Sequence, residues 1–217
     1  MKKRLLWIYN RLFRSLGPQG WWPAEDAFEV IIGAVLTQNT AWANVEKAIR
    51  NIKEKGLMSP EALYAFPFEE LEFLIRPAGY YRVKAARLKP LLEYIVVKHK
   101  GNLEAMFKQP MESLRGDLLN LHGIGEETAD SILLYAGGYP IFVVDAYTKR
   151  ILIRHGLVRG NAPYKEVQAL FMENLPQEAK LFNEFHALLV ATAKRFCRKN
   201  PSCTDCPLKK DLDRALT

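Results

Sequence analysis

The sequence predicts an all-α protein, on three observations. Apolar residues recur at spacings of three and four along almost the whole 217-residue chain. Strict alternation of apolar and polar residues is nearly absent, and the breaks carry helix stop and start signals such as Gly17-Pro18 and Ser59-Pro60-Glu61. Leu5, Tyr9, Leu12, Phe13 and Leu16 mark a first helix that Gly17-Pro18 ends. Phe28 to Leu36 form a second, and Val45, Ala48, Ile49 and Ile52 a third that breaks at Gly56. Ser59 is an N-cap followed by proline at the first helical position, which opens a short fourth helix. Further helices are expected at about 68 to 75, 82 to 98, 111 to 119, 126 to 136, 146 to 155, 164 to 174 and 178 to 196, about ten in all. Tyr139 to Val144 looks β-like but has no partner strand, so it reads as an extended connection. No repeat of 20 to 50 residues is present, which argues against a solenoid.

With 49% hydrophobic and 11% aromatic residues, the chain is too apolar for disorder and long enough for one large core or two small ones. Its longest apolar runs, such as Val30-Ile31-Ile32 and Ile141 to Val144, fall far short of the roughly 20 residues that cross a bilayer. Asn10, Arg11 and Arg14 interrupt the first apolar run before it could serve as a signal-peptide core, so an intracellular protein is expected. Lys and Arg number 31 against 24 Asp and Glu, a net +7, and the excess sits at the ends. Residues 1 to 24 hold five basic and no acidic residues; residues 194 to 214 hold seven basic and three acidic. If the ends meet, they form one positive face suited to a polyanion, most simply a nucleic-acid backbone; a solvated cationic surface is the alternative. Three cysteines confined to residues 197 to 206 read as a metal or cluster site rather than a disulfide framework.

The most informative segment is Leu118-Leu119-Asn120-Leu121-His122-Gly123-Ile124-Gly125-Glu126-Glu127-Thr128-Ala129. Two glycines, two apart, between apolar helices allow a tight turn and expose N–H groups at the start of the second helix. Such a turn binds a phosphate oxygen without regard to base sequence; an ordinary helix–helix turn also uses glycine. The stretch resembles the helix-hairpin-helix DNA-binding motif. Its continuation through Tyr139-Pro140 to Val143-Val144-Asp145 resembles the hairpin and Gly/Pro-Asp arrangement of the DNA glycosylase superfamily that includes endonuclease III. That resemblance implies a two-domain helix-hairpin-helix glycosylase fold acting as a monomer on double-stranded DNA containing a damaged base, with Asp145 as the catalytic carboxylate. From the residues alone, Asp145 precedes the amphipathic run Tyr147, Ile151, Leu152 and is placed to cap a helix, whose positive end favours the ionised form.

Bifunctional members of that superfamily carry a Schiff-base lysine two residues after the second glycine, where this chain has Glu127. A carboxylate forms no imine, so a monofunctional base-excision-repair glycosylase is expected, with Lys84 and Lys149 as possible substitute amines. Trp21-Trp22-Pro23 and Leu36-Thr37-Gln38-Asn39-Thr40-Ala41-Trp42 resemble the start of MagIII-type 3-methyladenine DNA glycosylases. The resemblance implies excision of alkylated purines by base flipping, with Trp21, Trp22, Trp42 and Glu127 at the base pocket, where a cationic base gains by stacking on indole. It also implies that Gln38 fills the gap left in the duplex and that Gly79 to Ala85 is an intercalating loop with Tyr80 as its wedge. Arg82, Lys84 and Arg87 are candidate phosphate contacts, and Gly123, Gly125 and Thr128 candidate hairpin contacts. An endonuclease III-like lyase and a non-catalytic DNA-binding protein are the rival readings.

The likeness to endonuclease III continues into Cys197-x5-Cys203-x2-Cys206, which implies a 4Fe-4S cluster loop. Here the first gap is one residue short and Leu212 stands where the fourth cysteine belongs. Asp211, Asp213 or water are candidates for the missing ligand. Zinc with His186, or no metal at all, are the alternatives. The expected domains are 25–136, carrying the hairpin, and 1–24 with 137–217, carrying the cysteines, with the DNA cleft between them. A cytoplasmic protein is expected, nucleoid-associated in a prokaryote.

Overall fold

The computed structural model describes residues 1–215, with side chains as far as Leu212. The chain divides into two compact units, a terminal one of Met1–Pro23 with Gly138–Thr217 and a middle one of Ala24–Gly137. The fold is all-α, and no strand forms among the described residues.

The middle unit is built around α2 (Ala27–Leu36), whose residues from Phe28 to Leu36 are all buried. A helix apolar on every side is driven to the centre of its layer. Asp26 caps it, accepting from the Glu29 N–H at 2.8 Å. Glu29 is itself buried, and the Lys53 ammonium 2.8 Å away neutralises it. Around α2 pack α3 (Trp42–Glu54), α6 (Tyr81–Glu93) and α9 (Glu126–Ser131). The short α4 (Pro60–Ala65) and α5 (Phe68–Leu74) close the sides of α6, and α7 (Leu103–Met106) is a single turn. Next, α8 (Met111–Leu119) and α9 form the hairpin, pinned by Arg115, which donates to both carboxylate oxygens of the fully buried Asp130 at 2.6 and 3.1 Å.

The terminal unit centres on α12 (Ala179–Arg195), against which α1 (Lys2–Leu16) and α10 (Ala146–Arg154) pack. Of the predicted stripe on α1, Leu5 and Leu12 are buried and Tyr9 and Leu16 half-buried, whereas Phe13 is exposed and Ile8 takes the remaining core position. Its aromatic core gathers Phe142, stacked on Phe171 of α11 (Tyr164–Met172) at 3.6 Å between centroids, with Phe182 and Phe185 edge-on to it. The last element is α13 (Lys209–Ala215).

Residues 138 to 145 form no regular structure, as their lack of a partner strand predicted. Two expected helices end differently: α6 passes into a π-helical turn at Tyr94–Lys98, and α9 into one at Ile132–Ala136. Pro90 lies inside α6 and gives up one backbone bond, and the wider turn begins four residues later. Nothing in the structure explains the second. The single turn α7 and the seven-residue α13 went unpredicted because each is too short to show a period.

Both basic ends fall in the terminal unit, which carries 18 Lys and Arg against 8 Asp and Glu, a net +10; the middle unit carries 13 against 16, a net −3. Among the described residues no helix is long and apolar enough to cross a membrane.

Removing the Asp130 carboxylate takes the nearer of two carboxylates from the Arg115 guanidinium, which is only 14% exposed and has Glu126 at 3.9 Å. Asp130→Ala is therefore expected to lower stability by about 3 kcal/mol in urea unfolding, and Arg115→Met/Asp130→Leu to recover most of that.

Candidate active site

Asp145 is prepared by the chain on both sides of it. Before it, Phe142 is anchored in the aromatic core, Gln168 donates to the Phe142 carbonyl at 2.7 Å, and the Val144 N–H donates to the Tyr164 hydroxyl at 3.2 Å. After it, α10 begins, and the Asp145 carboxylate caps it by accepting from the Thr148 N–H at 2.6 Å. The other oxygen lies 3.7 Å from His186 Nε2 on α12, and the side chain is only 13% exposed. Burial alone would push the Asp145 carboxyl up. His186 and the bonds from Thr148 outweigh it and hold the carboxyl below its ordinary value of 3.8. The result is a fixed, largely desolvated anion able to stabilise positive charge on a neighbouring atom. His186, expected only as a zinc ligand, lies instead beside Asp145. Tyr164 and Gln168 carried no sequence signal, since their role depends on reaching the backbone of the loop before Asp145.

In the middle unit the hairpin turn has one demanding glycine. Gly123 adopts φ +82°, and a β-carbon there would meet Arg87 Cγ at 2.2 Å. Gly125 has an extended conformation open to any residue, and it begins α9 with open space around it and no side-chain cap. Gln38 is folded onto this turn. Its amide nitrogen donates to the Gly123 carbonyl at 3.2 Å and the Thr128 hydroxyl at 2.9 Å, and its oxygen accepts from Arg87. Thr128 is accordingly buried with its hydroxyl engaged by Gln38, a correction to its expectation as a hairpin contact to DNA. Glu127 is exposed on the first turn of α9.

Lys84 is the larger correction. Expected to reach a phosphate or act as an amine, it is 1% exposed, and its Nζ donates to the Leu36 carbonyl, the Thr40 hydroxyl and the Ala78 carbonyl at 2.6 to 2.7 Å. Burial and the nearby Arg87 cation push it down to about 8, so at neutral pH it is an ammonium with all three protons used. It ties the loop carrying Gln38 to the loop carrying Tyr80. Tyr80 adopts a left-handed backbone, φ 46°, and is 72% exposed, so an aromatic ring is held in solvent on constrained backbone. Arg82 is exposed beside it, 3.6 Å from Glu72.

Trp21 and Trp22 come together in the terminal unit, with centroids 5.4 Å apart and planes tilted by 57°. The Lys194 ammonium lies 5.7 Å from the Trp21 ring. Trp42, at the start of α3, and Glu127 belong to the middle unit. Lys149, one turn after Asp145 on α10, is half-buried and donates to the Ala162 carbonyl at 3.4 Å.

Cys197, Cys203 and Cys206 line one cavity of the terminal unit, and Leu212 lines it too. Arg154 donates to Cys197 Sγ at 3.2 Å, and burial pushes the Cys206 thiol up. Asp211 is no candidate ligand, because Arg4 and His155 occupy its carboxylate; the Asp213 side chain lies outside the described residues. No three His, Cys, Asp or Glu side chains among the described residues converge on a single-ion site.

An all-α fold that carries a glycine hairpin and then a helix-capping, largely shielded aspartate is what the resemblance to the base excision repair glycosylases implied, and comparison with known proteins agrees. The model of the HhH-GPD superfamily of base excision DNA repair proteins matches residues 32–177. A Methanocaldococcus jannaschii protein named as a DNA repair glycosylase is 47% identical over 205 residues, 94% of this chain and 93% of its own length. A trapped endonuclease III–DNA covalent intermediate matches with a TM-score of 0.84 at 26% identity, covering 100% of this chain and 99% of that one. The 3-methyladenine DNA glycosylase MagIII of H. pylori, bound to 1,N6-ethenoadenine, matches with a TM-score of 0.75 at 29% identity, covering 89% and 95%. The chain belongs to the HhH-GPD superfamily. It is a DNA N-glycosylase.

Two outcomes follow from this geometry. His186→Leu removes the larger of the two groups that offset the burial of Asp145 and is expected to raise its carboxyl in a 13C NMR titration. Because the wild-type value is depressed, the stability Asp145 contributes is present above its unfolded value and is lost only as pH falls through the lower folded one, a loss that the variant meets at higher pH. Lys84→Met leaves three acceptors without their donor and is expected to cost about 3 kcal/mol, with faster hydrogen exchange at residues 37–41 and 78–80.

Proposed function

We propose that the chain is a monofunctional glycosylase that releases alkylated purines such as 3-methyladenine from double-stranded DNA and leaves an intact abasic site. The observation that carries this reading is Asp145, an anion fixed by a helix start and by His186 where little water reaches it. Beside an extruded nucleotide, such a carboxylate stabilises positive charge growing on the anomeric carbon as the glycosidic bond breaks, and orients water toward it. A base that already carries positive charge is a good leaving group and asks for little acid catalysis. The adjacent indoles of Trp21 and Trp22 supply stacking surface for it.

Lyase chemistry lacks its usual amine. Glu127 stands in its place, and Lys84 has all three protons engaged in the interior. One observation keeps a second reading alive: Lys149 lies on the helix that Asp145 begins, which favours an endonuclease III-like glycosylase/lyase with a displaced amine. DNA binding is assigned to the hairpin turn at Gly123 and Gly125, to Gln38 as gap filler, and to Tyr80 and Arg82. Exposure of Tyr80 and Arg82 supports the last two; Gln38 must first leave the hairpin.

The cysteine cavity fits an iron–sulfur cluster in its donor chemistry. Three thiols share one cavity, and Arg154 donates to the sulfur of Cys197. Cys197, Cys203 and Cys206 would hold it. When bound, a 4Fe-4S cluster supplies a covalent tie across the loop and a one-electron couple.

The deciding experiment measures base release from duplexes carrying 3-methyladenine, uracil or 8-oxoguanine, with strand breaks scored before and after alkali. Methylpurine release that falls at least about 100-fold in Asp145→Asn, with breaks only after alkali, is expected. A borohydride-trapped adduct that disappears in Lys149→Ala would establish the lyase reading instead.

A further inference from the structure

The cysteine cavity has three thiols and a fourth side without one, since Leu212 offers only methyl groups. Among the other side chains lining it, Arg154 and Lys209 are cations, and the Thr192 hydroxyl is spent on the Leu188 carbonyl at 2.7 Å. Ser202 is exposed. His155 is different. It follows the last turn of α10, is 5% exposed, and places Nδ1 2.8 Å from Asp211 Oδ2. Asp211 is itself 3% exposed and is gripped at both oxygens by Arg4 at 2.8 Å, while Arg4 also donates to the His155 carbonyl at 2.7 Å. A neutral imidazole whose Nδ1 proton goes to a carboxylate carries its lone pair on Nε2, and Nε2 of His155 has no hydrogen-bond partner among the described residues. A carboxylate behind a histidine in this way is the support that metal-ligating histidines receive: it fixes the tautomer, the ring orientation and the basicity of the free nitrogen.

Resting on the reading of the cavity as an iron–sulfur site, we propose that His155 supplies through Nε2 the fourth ligand of a 4Fe-4S cluster held otherwise by Cys197, Cys203 and Cys206. Asp211 and Arg4 are its positioning residues. Ligation places a neutral nitrogen where a relative with four cysteines has an anionic sulfur. The cluster then carries one negative charge fewer, and its reduction potential lies above that of an all-thiolate site in the same loop. The absence of a fourth cysteine is thereby a change of ligand rather than a decayed site.

The full-length chain, reconstituted with ferrous iron and sulfide without oxygen, tests this. The readouts are iron and sulfide per chain, the reduction potential, and pulsed EPR of the reduced cluster in protein labelled with 15N-histidine. Wild type is expected to hold about four irons and to show a directly bound nitrogen. His155→Ala should lose that coupling and retain less iron, with circular dichroism reporting whether it folds. His155→Ala/Leu212→Cys should recover the iron, without the nitrogen and at a lower potential. Asp211→Asn should keep the nitrogen and release iron faster. A full cluster with no nitrogen coupling, equally retained by His155→Ala, would overturn the inference and leave the cofactor reading standing, with Ser202 or water as ligand. No cluster in the reconstituted wild type would overturn both.

Discussion

Asp145 has to remain charged in a place that disfavours charge, and much of the terminal unit is arranged around that requirement. A carboxylate largely shielded from water would ordinarily take up a proton. Here the start of α10 contributes the Thr148 N–H, and α12 contributes His186 on the other side. Neither element could do this if the loop before Asp145 were free to move. Phe142 stacked on Phe171, with Gln168 and Tyr164 tied to the loop backbone, fixes the residue that both helices must meet. The aromatic core and the candidate active site are therefore one construction: packing energy from the rings is what holds the ion in position.

The middle unit solves the same problem with the opposite sign. Lys84 is buried as an ammonium because three oxygens from separate parts of the chain meet around it, and satisfying all three protons offsets a desolvation cost that a lone lysine could not bear. Since those oxygens belong to the end of α2 and to the two loops beyond it and before α6, the ion also sets the spacing between Gln38 and Tyr80. Arg115 with Asp130 does likewise for the hairpin. In each unit the residues that face outward are held by a buried charge with a complete set of partners.

This explains which parts of the molecule were legible in the sequence. Helices with an apolar stripe, such as α1 with Leu5 and Leu12, are encoded locally and could be read, though not which of Ile8 and Phe13 faces inward, as could the strandless stretch from Tyr139 to Val144. The capping position of Asp145 could be read because a cap before an amphipathic run is a local pattern. Lys84 could not. In Gly79-Tyr80-Tyr81-Arg82-Val83-Lys84 it sits among exposed, basic neighbours, and its burial is decided by Leu36, Thr40 and Ala78, two of them more than forty residues away. His186 and His155 were hidden for the same reason: a histidine on a buried face is one residue among apolar ones until the fold shows which carboxylate it meets. The π-helical turns leave no mark in a pattern that tracks only side-chain period.

The division of charge bears on how such a protein meets a polyanion. With a net +10 in the terminal unit and −3 in the middle unit, long-range attraction comes from the former, and it weakens as salt shortens the screening length. The hairpin lies in the acidic unit, and Glu126 and Glu127 stand in the first turn of α9, where the helix dipole favours them but an approaching phosphate does not. Any phosphate contact there must then be made at short range, by backbone N–H groups that a carboxylate one or two residues along does not block. Open space around Gly125 is what such an approach requires, which gives that glycine a steric reason to be present even though its backbone conformation would admit other residues.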